Sequence, residues 1–227
     1  APRPAEFYSA ALPADAAPGT LLRSEPFERE VPDGARGWRL LYVTTDAQNR
    51  PILASGLVVA PTEPSAGPHP VVAWAHGTTG VAQACAPSNL AEPFTAGATP
   101  ALAEVIDRGW ALVATDYPGL GTAGPTPYVI GQGEARAVLD AVRAARQLPD
   151  LSLSEKTVAW GHSQGGHAAL WTGTIADGYA PDVPLSGVAA LAPAADLLAL
   201  AEGLESMTGG GLFAAYVIDA YSRYYPD

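Results

Sequence analysis

The stretch Thr157-Val158-Ala159-Trp160-Gly161 followed by His162-Ser163-Gln164-Gly165-Gly166-His167 decides how the rest of the chain is read. Residues 157 to 161 form a short β-prone run, and 164 to 176 carry a helical pattern, so Gly161-His162-Ser163-Gln164-Gly165 is a G-x-S-x-G turn between strand and helix. A serine on so sharp a turn takes strained backbone angles. Small residues two before and two after it let strand and helix approach closely. The Ser163 hydroxyl then projects above the sheet, and the helix that starts beside it aims backbone N–H groups and the positive end of its dipole at the same point. A chance pentapeptide in a glycine-rich turn is the bland alternative; the strand before and the helix after argue against it.

Working outward, the strands alternate with helices. Leu185 to Leu191 is a strand after the motif. Before it lie Val71 to Ala75, a short apolar run suited to a strand covered on both faces, and Trp110 to Thr115. Helices are expected from a Thr99-Pro100 start to Arg108, with Gly109 as the stop, and over Gly133 to Leu148. In the latter, Ala135, Val138, Leu139, Val142 and Ala145 share one face, and Glu134, Arg136, Asp140, Arg143 and Arg146 fall mostly elsewhere. Trp38 to Thr45 and Pro51 to Ala60 read as an antiparallel hairpin, and Pro61 to Pro70 as a surface connection. The expected fold class is α/β, a mostly parallel sheet with an N-terminal hairpin. Residues 1–37, rich in Pro and Ala, read as an extended arm, 38–195 as the core, and 196–227 as a further apolar segment with a Gly209-Gly210-Gly211 cluster.

His76-Gly77-Thr78-Thr79-Gly80 follows the buried strand 71 to 75, where this architecture places a second oxyanion donor. The backbone N–H of Thr79 is the first choice, with Thr78 as neighbour, beside that of Gln164; a plain glycine turn is the alternative. His76, at the root of the loop, reads as a structural hydrogen-bonder. Gly119-Leu120-Gly121-Thr122-Ala123-Gly124 matches G-x-G-x-x-G, but Pro125 and Pro127 follow and no helix opens at the third glycine, so a dinucleotide site is not expected. That loop is expected to shape the mouth of a pocket with Tyr117 and Tyr128, held by Asp116. No metal or other cofactor is expected, because His69, His76, His162 and His167 lack ligand spacing. His167 reads as packed or surface.

The whole chain of 227 residues has 48% hydrophobic and 15% charged residues, enough for a real core. Its net charge of −11 argues against nucleic acid as a partner. No apolar run approaches the ~20 residues of a membrane span. The start Ala1-Pro2-Arg3 fits a mature chain whose secretion signal has gone, or a trimmed one.

A nucleophilic serine needs a base, normally a His oriented by an acid and following it in the chain. Downstream of Ser163 the sequence holds only His167, and Asp196 is a weak candidate acid. The sheet also reads as unfinished, short of two strand-plus-crossover units of about 30 residues each.

Several ordered motifs resemble the secretory lipase family, the lipase A-like α/β-hydrolases. They are Phe7-Tyr8, Pro18-Gly19-Thr20-Leu21-Leu22-Arg23, the 76–80 loop, Cys85-Ala86-Pro87-Ser88, Arg108-Gly109-Trp110, Thr115-Asp116-Tyr117-Pro118-Gly119-Leu120-Gly121, residues 161–167, and Tyr179-Ala180-Pro181. The resemblance implies a secreted lipase or esterase acting through an acyl-enzyme on Ser163, on acylglycerols or other esters. It also implies that the catalytic Asp and His lie beyond residue 227, on a removed portion or a second polypeptide, and that a helical cap begins near Asp196. The single Cys85 is similar to a cysteine that bridges to the cap, a buried free thiol being the alternative. An inert fragment or binding module, and an acyltransferase or peptidase on the same fold, are the other readings.

Overall fold

The computed structural model describes residues 6–63 and 67–226. The first five residues of the expected arm, Asp227, and 64–66 of the 61–70 connection lie outside them. In chain order the elements are β1 Leu21–Phe27, β2 Ala35–Thr45, β3 Pro51–Pro61, β4 His69–Ala75, α1 Pro93–Ala96, α2 Leu102–Asp107, β5 Ala111–Thr115, α3 Gly131–Ala145, β6 Leu153–His162, α4 Gln164–Tyr179, β7 Leu185–Leu191, α5 Leu197–Gly203 and α6 Gly210–Tyr224.

The strands form one 7-stranded sheet in the order β1-β2-β3-β5-β4-β6-β7. The expected hairpin is present, with Thr45 opposite Pro51 and Ala35 opposite Pro61. From β5 onward neighbours run parallel: β4 pairs with β5 on one side and β6 on the other, and β6 pairs with β7. The structure is therefore the expected α/β sheet, mostly parallel after an antiparallel start.

Alternation along each strand divides the core into two layers. Val71, Ala73 and Ala75 face α3 and α4 together with Tyr42, Val58 and Val113. Val72 and Trp74 face the opposite side, where Phe94, Leu102, Val105 and Ile106 of α1 and α2 cover Leu57 and Leu112. A third cluster packs Ala220 and Tyr224 of α6 on Tyr128, Val129 and Ile130.

Three expectations change. Residues 21–27, read as part of an arm, pair antiparallel with β2 as an edge strand; their alternation is masked by Glu25 and Pro26, and only pairing makes them a strand. The helix read from Thr99 starts at Leu102, because Ala101 takes a left-handed backbone, φ 54°, at its N-terminal boundary. Glu134, Arg136 and Asp140, assigned away from the apolar face of α3, are buried, since that helix has the sheet on one side and α4 on the other.

Candidate active site

Ser163 sits between the end of β6 and the first residue of α4 with φ 56° and ψ −118°. That backbone is strained for a residue with a Cβ, and its neighbours hold it there. Its N–H donates to the Leu191 carbonyl at 2.9 Å, and its own carbonyl accepts from His167 and Ala194 at 3.1 and 3.2 Å. A Cβ at Gly161 would stand 2.0 Å from the Gly165 oxygen, and one at Gly165 would stand 1.9 Å from the Ala75 oxygen. Hence only glycine fits at either position. Ser163 is partly exposed, and among the described residues its hydroxyl has no hydrogen-bond partner. It opens on a cavity of about 210 Å³ whose other walls include Tyr128, Pro193, Leu200, Met207, Phe213 and Val217.

Because β4 lies beside β6, the loop that leaves β4 arrives next to the serine. A Cβ on Gly77 would be 3.2 Å from His162 Nδ1 and 3.8 Å from Ser163 Cβ. Thr78 Oγ1 and the Tyr128 hydroxyl share a hydrogen bond of 2.8 Å, and Thr79 Oγ1 is buried without a partner. The N–H groups of Thr79 and Gln164 have no acceptor among the described residues; for Gln164 that is ordinary at a helix start.

His76 is buried with its ring nitrogens 2.6 Å from the Gly77 oxygen and 3.2 Å from the Asp116 oxygen. Burial pushes its pKa below the usual 6.5 and so favours the neutral ring. It shapes the loop and does not reach Ser163, in keeping with its structural reading. Asp116, fully enclosed and raised in pKa by burial, accepts from Ser55 Oγ, Ser88 N–H and Ser88 Oγ. Its carboxylate therefore ties β3 to the 87–89 turn; the expected direct hold on residues 117–128 is not there.

Tyr117 also departs from expectation. Its backbone is left-handed, φ 67°, which turns the ring into the core beneath His76, centroids 4.5 Å apart. It is fully buried and donates to the His76 carbonyl at 3.1 Å. It does not line the cavity. Tyr128 does. The Gly119–Gly124 loop packs near Tyr8, Ser55 and Ile52, away from the mouth it was expected to shape, and no helix opens until Gly131.

A polar cluster that sequence reasoning passed over lies behind the serine. Glu134 Oε1 accepts from Val129 N–H at 3.0 Å and from Gln164 Nε2 at 2.9 Å. Its Oε2 is 3.0 Å from His167 Nδ1. Glu134 is fully buried and His167 nearly so. The available signal was the small residues Ala137, Ala141 and Ala144 on the side of α3 read as polar, which mark a second packed face. Asp196, the weak candidate acid, caps α5 by accepting from Ala199 N–H at 3.0 Å. Cys85 has no disulfide partner among the described residues, and its Sγ would stand 2.5 Å from a Cβ on Gly80. No group of three His, Cys, Asp or Glu among the described residues is gathered to hold a metal ion. No helix among them is long and apolar enough to cross a membrane.

Comparison with known proteins adds an independent line. Residues 87–227 match the family model described as secretory lipase. Lipase A of Moesziomyces aphidis is 30% identical over 74% of this chain and 39% of its own length. A Mycobacterium tuberculosis relative named "Probable inactive lipase MT1628" is 30% identical over 93% of this chain and 49% of its own. The crystal structure of the rice cell wall degrading esterase LipA from Xanthomonas oryzae superposes with a TM-score of 0.78 at 28% identity, over 93% of this chain and 61% of that one. The chain thus spans at most about half the length of these curated relatives.

Proposed function

Starting from the fact that the chain belongs to the secretory lipase family of α/β-hydrolases, we propose that it carries the nucleophile of a secreted carboxylic ester hydrolase. One observation carries the reading: a strained serine, locked by glycines that admit no side chain, presents a free hydroxyl to an apolar cavity. Such strain is costly to keep without a use.

Ser163 Oγ attacks the ester carbonyl, and the oxygen that gains charge is held by the Gln164 and Thr79 N–H groups. The alcohol leaves, and water hydrolyses the acyl-enzyme. Fixed donors cost no reorganisation as charge develops, which is where catalytic power of this kind arises. The apolar walls favour the acyl part of an acylglycerol or another acyl ester, and α5 and α6, which cover the cavity, are the beginning of a cap over residues 196–227. The general base and its acid are assigned to polypeptide outside these 227 residues. Support comes from the histidines: His76 and His167 are committed elsewhere, and none bonds Ser163. Cys85, alone in the sequence, is free to pair with that same polypeptide.

The second reading, an inert fold or binding module, is favoured by the same lack of a base. Fluorophosphonate labelling with peptide mapping, on the protein together with the C-terminal polypeptide that carries the base, separates the two. The expected result is a label on Ser163, abolished by Ser163→Ala, with p-nitrophenyl ester hydrolysis lost in parallel. Wild-type protein so completed that stays unlabelled at high probe concentration supports the inert reading instead.

A further inference from the structure

Glu134 is a fully buried carboxyl group, close behind Ser163, for which the ester chemistry above has no use. An ionised carboxylate inside a protein costs several kcal/mol of desolvation unless its lone pairs are satisfied, and an apolar side chain of the same volume commonly packs there more stably. Its partners show what it joins. Through Gln164 Nε2 and His167 it grips the first turn of α4, the turn that carries the proposed Gln164 donor. Through Val129 N–H it fixes the segment that carries Tyr128. Tyr128 in turn bonds Thr78, the residue before Thr79. The two proposed oxyanion donors sit on different segments, the start of α4 and the loop after β4, and both lead back to this one carboxyl group.

We propose that Glu134 is a positioning residue that sets the separation of the two oxyanion donors, acting through Gln164 and His167 on one side and through Val129, Tyr128 and Thr78 on the other. The inference rests on the reading of Ser163 as nucleophile. Oxyanion stabilisation depends on donors held within tenths of an ångström, so loosening either side lowers the chemical rate more than it lowers binding.

The chemistry of the cluster supplies the control. In Glu134→Gln, Oε1 still accepts from Val129 and Gln164, and the new amide donates to His167 Nδ1 once that ring carries its proton on Nε2. Glu134→Ala removes all three bonds. Tyr128→Phe keeps the ring in the cavity wall and removes only the link to Thr78.

The test is the kinetics of fluorophosphonate labelling of the protein together with the C-terminal polypeptide that supplies the base, resolved into reversible binding, the chemical rate constant and the labelled fraction. Expected are a fall in the rate constant of about 30- to 100-fold for Glu134→Ala and about 3- to 10-fold for Tyr128→Phe, with binding within about twofold. Glu134→Gln is expected to recover the rate to within about threefold. A purely structural role would reduce the labelled fraction and leave the rate constant of the folded fraction unchanged; that result overturns the proposal. If Glu134→Ala does not fold, a wild-type rate in Tyr128→Phe overturns it equally. Wild-type protein that carries the base and still takes no label instead refutes the parent reading of Ser163, with which this inference falls.

Discussion

At Gly165 one methyl group separates a formed elbow from a broken one. A Cβ there would lie 1.9 Å from the Ala75 oxygen and 2.6 Å from the His76 oxygen, both backbone atoms that cannot swing aside. Gly165→Ala must push α4 off β4, and we expect it to cost at least about 3 kcal/mol by thermal melting and to abolish labelling of Ser163. Gly178, exposed on the same helix with nothing within 4 Å of its added Cβ, provides the contrast. There alanine is expected to stabilise by about 0.5 to 1 kcal/mol through backbone entropy. If both substitutions destabilise alike, the close approach is not what keeps Gly165. Ser163 and its flanking glycines were legible because their constraint is local. Glu134 and Tyr117 were not. The burial of Glu134 depends on α4 closing over α3, and the inward turn of Tyr117 on a left-handed backbone that a tyrosine does not advertise.

Among the elements, those with strong apolar runs matched expectation and those held by pairing or capping did not. β7 spans Leu185–Leu191 as read, whereas β1 lies along β2 with a mixed run in which Arg23, Ser24, Glu25 and Pro26 interrupt the apolar residues and only Phe27 is buried. The apolar stretch after Asp196 is not one helix: α5 ends at Gly203, a 3-10 turn follows over Leu204–Ser206, and Gly209 at φ 80° sets the start of α6. α5 has only seven residues, too few for intrinsic stability, and Leu198 on it is 81% exposed. Its Asp196 cap is therefore a large share of what holds it. Asp196→Ala removes about 1 kcal/mol of cap. Hydrogen exchange over 197–203 is expected to speed up several-fold, with the global melting temperature lowered by less than about 2 °C. Unchanged exchange in that segment would show that packing, not the cap, keeps α5.

Over the whole molecule, the two sides of the sheet are unequal. β3, β5 and β4 are buried nearly throughout, but β7 has neighbours on one side only and is largely exposed, Val188 at 42% and Leu191 at 38%. An apolar edge of this kind is a template for further strand pairing. The 227-residue chain is expected to associate with rising concentration, and Val188→Lys to suppress this in light scattering without altering its circular dichroism. Equal association by both proteins would locate the sticky surface elsewhere.

What the sequence determined alone is the serine turn, the alternation of strands with helices, and the family to which they belong. Each rests on short-range rules: steric room at glycine, the 2- and 3.6-residue periods, and the turn chemistry of adjacent residues. Strand order is a long-range property, and on it the site depends. β4 lies between β5 and β6, so the loops that leave the ends of β4 and β6 emerge side by side, and Gly77 comes against Ser163. No local pattern encodes that adjacency, nor the enclosure of Glu134 behind it, because both arise only when helices from distant parts of the chain pack over one face of a completed sheet.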